Sequence, residues 1–368
     1  SEAGRGFPVP PDVLMRLRIE AANGVAEVEN GYIVQPQGHA DRCIAIPDGL
    51  LHHGLINAHD HLHRNHYGRL GDGAYPNAYV WAADIQHHHS QTIAAGRLLP
   101  RRTALLWGAW KNLLAGVTSV VHHDAWEPDF ERDFPLRVIR IACGDSLGMT
   151  PDLAPPPDGL FALHVAEGID AAAAEEVHQL AACGLMNERL LAVHVVGPDA
   201  DGVDMLHASG CAIAWCPTSN HFLFGRTTPR ALLADGRIDI LLGTDSLLTG
   251  AGNLLDELRA ARETALLPDS RLQASVGASA ARRLGLPAPS LDPGARADLI
   301  VLRRPLLESG AEDIALVMAA GALRVLDTTL LPAAGVSGGQ QLRRGPVVRW
   351  ISEDAVLPQS DPATCRPG

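Results

Sequence analysis

The sequence predicts an α/β protein: a parallel sheet, either closed into a barrel or doubly wound, flanked by β-strands drawn from both chain ends. Three observations carry this. From Leu55 onward, short apolar runs alternate with Ala/Leu/Arg-rich helical stretches, the rhythm of repeated βα units. Those runs are apolar almost without interruption, as suits strands covered on both faces. Before Leu55 and after Pro287 the texture is strand-like instead.

The first fifty residues show strand signals at Val13–Ala21, Val25–Val34 and Cys43–Ile46, with hairpin-like Asn-Gly pairs at Asn23-Gly24 and Asn30-Gly31. Central strands are expected at Leu55–Ala58, Thr118–Val121, Arg137–Ala142, Leu160–His164, Leu190–Val195, Ala212–Cys216 and Ile238–Leu242. Helices between them are expected at Thr103–Ala115, Ala171–Cys183, Asp201–Ser209, Pro229–Leu233, Leu254–Leu266 and Arg271–Leu284. The C-terminal part reads as strands Ala297–Leu302, Ala322–Leu326 and Pro346–Ile351, with a helix near Glu312–Ala320 and an irregular tail over Ser352–Gly368. The expected division is 1–51 and 289–368 forming one small β domain around a central unit at 52–288. Only about twenty residues separate the strand ending at Ala142 from the His164 strand, too few for a full βα unit. One strand there is missing, degenerate or supplied by Cys143–Met149.

Composition narrows the function classes. The chain has 368 residues, 46% of them hydrophobic, enough to bury a large core. A net charge of −12 argues against nucleic acid, which needs concentrated positive charge. No apolar run reaches the roughly 18 residues of a spanning helix, so no membrane partner is expected. The start, Ser1-Glu-Ala-Gly-Arg-Gly-Phe-Pro, lacks the apolar stretch of a secretory signal. Cys43, Cys143, Cys183, Cys211, Cys216 and Cys365 form no paired spacing, and reduced thiols in a cytoplasmic protein are expected. Lys111 is the only lysine.

Five segments carry chemistry. In Gly54-Leu-Ile-Asn-Ala-His-Asp-His-Leu-His63, His59 and His61 are two apart, so on a strand they project to one side. Neutral imidazole is the commonest protein ligand for zinc and similar ions, although such a pair alone is a weak signal. His164-Val-Ala-Glu167 places a third imidazole at a strand end and a carboxylate in the following loop. His194 ends the run Leu190–Val193. Ala214-Trp-Cys-Pro-Thr-Ser-Asn220 reads as a strand stopped by Pro217 and a tight polar loop; Cys216 there is a ligand, a nucleophile or a small buried hydrophobe. Asp245, in Gly243-Thr-Asp-Ser246, follows a buried strand directly, a costly place for an acid unless a metal or a histidine pairs it. All five fall at strand ends that the rhythm puts on one face, where barrel enzymes carry their sites. His63, His66, His122 and His123 could line the same pocket, and His87-His88-His89 reads as a surface loop or lid.

Taken together, Gly-Leu-Ile-Asn-Ala-His-x-His, Gly116-Val-Thr118, His164-x-x-Glu167, His194, Cys-Pro-Thr-Ser-Asn, Gly-Thr-Asp-Ser and Ala297-Asp-Leu-Ile-Val-Leu302 resemble the amidohydrolase superfamily, in particular its cytosine/guanine deaminase and chlorohydrolase-like branch. The resemblance implies a distorted TIM barrel with a small β-sandwich built from both chain ends. It implies that His59, His61, His164 and Asp245 hold one divalent metal, zinc first and ferrous iron as the alternative. Asp245 would also take a proton from the attacking water, Glu167 would protonate the substrate, and His194 would orient the water and stabilise the developing oxyanion. Binuclear members bridge their metals with a carboxylated lysine; Lys111 sits in a helical stretch instead, which favours one metal. The implied reaction is deamination of an amino-substituted heterocycle. The alternatives are hydrolysis of a cyclic amide or amidine, or removal of a halide or other leaving group. A small-molecule substrate and, by family habit, a homodimer complete the expectation.

Overall fold

A computed structural model describes residues 16–353, apart from 151–152, 154–155 and 345–346. The N-terminal segment forms β1 (Leu17–Ala21), β2 (Gly24–Glu29), β3 (Tyr32–Val34), β4 (Arg42–Ile46) and β5 (Leu50–His53). Both hairpins have two-residue turns: the first is Ala22-Asn23, with Ala21 opposite Gly24 and Gly24 already in β2, and the second is the expected Asn30-Gly31, with Glu29 opposite Tyr32. At the second, Asn30 and Gly31 both have positive φ, as the favoured two-residue hairpin turn requires. These strands order as β3-β2-β1-β4, while β5 leaves to join the C-terminal strands. The expected boundary after residue 51 therefore falls inside β5.

Among the described residues the central segment holds eight parallel strands: β6 (Leu55–Asp60), β7 (Val117–His122), β8 (Arg137–Ile139), β9 (Ala142–Cys143), β10 (Phe161–Val165), β11 (Leu190–His194), β12 (Ala212–Trp215) and β13 (Asp239–Leu242). They form one sheet of β6-β7-β8 and another of β13-β12-β11-β10-β9. β8 and β9 are separated only by Arg140 and Ile141. The run 137–143 pairs with β7 through its first half and with β10 through its second. Among the described residues no other strand lies between Cys143 and Phe161, so the strand in doubt is the degenerate two-residue β9 at the end of this split run. Past the far edge, the amides of Thr244 and Asp245 donate to the His59 carbonyl at 2.9 and 3.1 Å.

Period-two alternation divides the strand side chains between two cores. Ile56, Val121, Ile139, Ala162, Leu191, Val193, Ala212, Ala214 and Leu241 share one cluster with Ala280 and Ala281. Leu190, Ala192, Ile213, Trp215, Ile240 and Leu242 face the helices in another. Burial on both faces is why these strands read as unbroken apolar runs.

The helices of this central segment are α1 (Ala78–His88), α2 (Ser90–Arg97), α3 (Arg101–Leu113), α4 (Ala171–Ala182), α5 (Ala200–Ser209), α6 (Pro217–Phe224), α7 (Arg230–Leu233), α8 (Leu254–Glu263), α9 (Asp269–Ser275) and α10 (Ala278–Arg283). Three local readings are corrected. His87 and His88 end α1 rather than forming a loop, and His89 joins it to α2. The segment after Cys216 is helical, with Pro217 at its first turn, where a missing N–H costs nothing. The stretch expected as one helix over Arg271–Leu284 is broken between α9 and α10 at Val276 and Gly277.

The last strands are β14 (Leu299–Leu302), β15 (Ile314–Ala319), β16 (Ala322–Asp327), β17 (Gln340–Arg344) and β18 (Val347–Ile351), ordered β17-β18-β16-β15-β14-β5. The helix expected near Glu312–Ala320 is thus strand β15. Its six residues are all buried, and a short run with no polar position offers no period to separate strand from helix. Ile19, Val28 and Ile44 from the N-terminal sheet share a core cluster with Leu299, Leu316 and Leu326 from the C-terminal one. Val13–Met15, Pro346 and most of the expected tail lie outside the described residues. No helix among the described residues is long and apolar enough to cross a membrane.

Candidate metal centre

The C-terminal ends of the parallel strands converge on His59. Its ring is fully buried, and neither ring nitrogen has a hydrogen-bond partner. One ring atom each from His59, His164 and His194 lie within 4.8 Å of one another; so do ligand atoms of His59, His61 and Asp245. Asp245 Oδ1 stands 3.7 Å from His59 Nε2 and 3.8 Å from His61 Nε2. The four expected ligands are therefore together, and His194 is within the same cluster.

What surrounds the rings decides which nitrogens are free. His61 Nδ1 donates to Asp124 Oδ2 at 2.7 Å, and His164 Nδ1 to Asp145 Oδ1 at 3.2 Å. His194 Nδ1 donates to Asn220 Oδ1 at 2.9 Å. Each acceptor fixes a tautomer that leaves the Nε2 lone pair for the centre. Burial pushes His59 below its ordinary value and His61 well below it, in His61 aided by the Arg64 charge. Both rings are thus neutral, the form that ligates. The Asp245 carboxyl is buried, which by itself raises it, but the nearby His59 ring and the other neighbouring imidazoles hold it well below the usual range. Its Oδ2 accepts from Ser219 and Thr249 at 2.8 and 2.7 Å. A buried His59 with no partner at either nitrogen, beside a neutral His61 and a fixed carboxylate, fits a divalent ion.

Glu167 is on the loop after β10, as its position in the sequence implied. Burial pushes its carboxyl up to about 8, and its Oε1 is 3.4 Å from His194 Nε2. The same desolvation takes His194 down to about 3. Around them the backbone is left-handed at Ala166, His194, Val195 and Asp245, each non-glycine residue costing roughly 1–3 kcal/mol. Glu176 of α4, nearly fully buried, accepts from Tyr79 Oη, the Leu147 amide and the Ala166 amide at 2.9, 3.0 and 2.7 Å, tying α1 and two loops beside Glu167.

Over the centre lies a cavity of about 620 Å³ whose wall includes His63, His66, Tyr79, Trp81 and Ile85. His122 and His123 lie buried beside it. His123 stacks on His164 with centroids 4.2 Å apart and donates from Nε2 to the Gly144 carbonyl. Cys216 is fully buried and its thiol is held well above its ordinary value by desolvation, so it is the small hydrophobe of the three readings. Sequence reasoning missed Asp124, Asp145 and Asn220 as partners of the histidines. An acid directly after an apolar strand, the signal that singled out Asp245, marks Asp124 and Asp145 equally.

Residues 161–324 match the model of the amidohydrolase family. The chain is 25% identical over 349 residues to a 5'-deoxyadenosine deaminase of Methanothermobacter thermautotrophicus, covering 77% of this chain and 80% of the relative. The family model and the relatives alike support the amidohydrolase superfamily. The chain is also 30% identical over 211 residues to a 5-methylthioadenosine/S-adenosylhomocysteine deaminase of Pelotomaculum thermopropionicum, covering 54% of this chain and 48% of the relative. Three Pyrococcus deaminases of the same name are matched over only 19%, 32% and 27% of their lengths. Among solved amidohydrolase-like structures, an adenosine deaminase from Xanthomonas campestris with bound zinc superposes with a TM-score of 0.59 at 20% identity, over 87% of this chain and 97% of that one. The zinc complex of atrazine chlorohydrolase from Arthrobacter aurescens gives 0.62 at 18% identity, over 83% and 94%. At those identities the likeness is one of fold.

Proposed function

We propose that this protein is a metal-dependent amidohydrolase, a deaminase that hydrolyses the exocyclic C–N bond of an amino-substituted heterocycle. The observation that carries the reading is the wholly buried His59, unpartnered at both nitrogens, inside a ring of His61, His164, His194 and Asp245 with the raised Glu167 carboxyl alongside. His59, His61, His164 and Asp245 would hold one divalent ion, zinc first and ferrous iron second. When bound, such an ion supplies the Lewis acidity that makes hydroxide available near neutral pH.

The protein's own groups do the rest. Glu167, protonated at neutral pH, donates to a ring nitrogen of the substrate and so makes the adjacent carbon more electrophilic. Asp245 is placed to accept a proton from the attacking water. His194, neutral and donating from Nδ1 to Asn220, presents Nε2 as an acceptor, which suits orienting that water. Oxyanion stabilisation by His194 would need a proton at Nε2, which burial disfavours, so we assign it the orienting role alone. Ammonia then leaves after a second proton transfer.

The architecture that serves this chemistry is read as a distorted barrel with a small β-sandwich. Support for the barrel comes from the amide bonds of Thr244 and Asp245 to His59 across the open edge, and from one cluster collecting a single face of the strands from β6 to β13. The core shared by the two chain ends supports the sandwich. Segments 1–51 and 289–368 would then flank a hydrolase unit at 52–288.

Names of the relatives put aminopurine nucleosides and their 5'-modified forms first among candidate substrates. The same centre would also serve cyclic amides, amidines or a halide leaving group, because fold and metal fix the nucleophile and not the substrate. Ammonia release from aminopurine, pterin, pyrimidine and triazine substrates decides between them. Deamination yields stoichiometric ammonia, and turnover without ammonia overturns the reading.

A further inference from the structure

The one lysine among thirty basic residues lies behind the metal centre. Lys111 is on α3, and Gly108 lets that helix press against the turn that follows His61: a Cβ at Gly108 would stand 2.4 Å from the Leu62 carbonyl oxygen. The ammonium, with its side chain 6% exposed, meets three oxygens from two separate strand ends. It is 3.0 Å from Asp60 Oδ2, 2.9 Å from Thr244 Oγ1 and 2.6 Å from the Asp245 carbonyl. Asp60 stands between His59 and His61, and Asp245 is itself an expected ligand.

We infer that Lys111 is a positioning residue whose ammonium locks together the two strand ends carrying His59, His61 and Asp245, and so sets how tightly the centre holds its ion. This rests on the metal reading above. Asp245 needs such a lock because its backbone is left-handed, at φ +54°, a region unfavourable for a residue with a Cβ. Its carbonyl is fixed by Lys111 and by the Thr244 hydroxyl at 2.9 Å, which keeps the carboxylate turned towards the imidazoles. On the other side, Asp60 is fully buried and also accepts from Asn65 and Asn112 at 2.9 and 2.7 Å. Asn57 completes the mat, donating to Thr244 Oγ1 and Asn112 Oδ1, both at 2.9 Å.

Why lysine persists in a chain that otherwise uses arginine follows from shape. An ammonium is a compact point with three donors, able to serve three oxygens that do not share a plane. A planar guanidinium fork suits one carboxylate edge instead. The same three contacts exclude Lys111 as a carboxylated bridging ligand, since its nitrogen faces only acceptors.

The test compares zinc release from the zinc-loaded wild type, Lys111→Met and Thr244→Val to a chromophoric chelator, with far-ultraviolet dichroism and melting curves as controls for folding. Groups that orient metal ligands typically change metal affinity about 10–100-fold when removed, so Lys111→Met should release zinc about 10–100-fold faster while folded. Lys111→Arg should not restore the wild-type rate. A folded Lys111→Met that melts lower but releases zinc at the wild-type rate makes the lysine a fold residue only and overturns the inference. Should Lys111→Met not fold, Thr244→Val decides: several-fold faster release supports the lock, and an unchanged rate overturns it. A wild type that takes up no zinc sinks the metal reading and this inference together, whereas equal release rates sink this inference alone.

Discussion

Two histidine clusters lie side by side in this molecule, and spacing alone does not tell them apart. Around His59, ligand atoms of two overlapping triads lie within 4.8 Å; the neighbouring triad of His63, His122 and Asp124 meets the same limit. The difference is in the hydrogen bonds behind the rings. At the His59 centre the outer nitrogens of His61, His164 and His194 donate to oxygen acceptors, so the inner nitrogens keep lone pairs. In the neighbouring triad His122 Nδ1 accepts the Leu62 amide at 3.2 Å, so the neutral ring carries its proton on Nε2 and has no lone pair to offer. Asp124 is already engaged by His61 at 2.7 Å and Arg64 at 3.1 Å. A carboxylate that orients a ligand of the first cluster is thereby taken from the second. Tautomers, more than distances, separate a metal site from a group of histidines.

Several measurements would break or sharpen that contrast. His164→Ala should have the largest effect, stripping the ion and taking turnover to background; full metal content in this variant removes His164 from the centre. Glu167→Gln should keep the ion and lose roughly 10²–10⁴-fold in kcat, the usual worth of a proton-transfer group. Unchanged turnover would leave the proton-donor role without support. Asp124→Asn tests the orienting carboxylate: metal affinity should fall by about 10–100-fold although the residue is not one of the four expected ligands. The smallest effect is expected at the second cluster. His122→Phe should leave metal content at one ion per chain, and a wild type holding two ions, reduced to one by this substitution, would make the neighbouring triad a site after all.

A buried carboxylate outside both clusters gives the pH control. Glu257 of α8 is fully buried, accepts from the amide and hydroxyl of Thr218, and is pushed up to about 8 by desolvation. The folded protein then holds a proton that the unfolded chain releases near its ordinary value of 4.5. Stability contributed by this group is therefore present below about 4.5 and lost as pH rises towards 8. Replacing Glu257 with Gln should raise the melting temperature relative to wild type progressively across that window, by up to roughly a few kcal/mol of stability at its top. A difference independent of pH means that Glu257 is ionised throughout.

Much of the candidate site was legible because its residues sit where strands stop. His59, His164, His194 and Asp245 each lie at the end of an apolar run, and a parallel arrangement brings such ends to one face. Lys111 was not legible, because its role depends on α3 pressing against the Leu62 turn, a contact no spacing along the chain records. β15 was misread as helix because a fully buried strand shows no alternation. The helix at Pro217–Phe224 was misread as a loop because proline stops a strand and starts a helix equally well.

By itself, then, the chain determined the alternation of strands and helices in the central segment, the family resemblance, and which side chains end the strands, since these follow from residue type, motif and local periodicity. Only the tertiary structure decided which nitrogen of each histidine is free, that one run of residues 137–143 pairs with neighbours on both sides, and that the single lysine reaches Asp60 and Asp245. Those outcomes depend on which groups meet across more than a hundred residues of chain, as Lys111 and Asp245 do, and hydrogen-bond partners brought together by packing leave no local mark in the sequence.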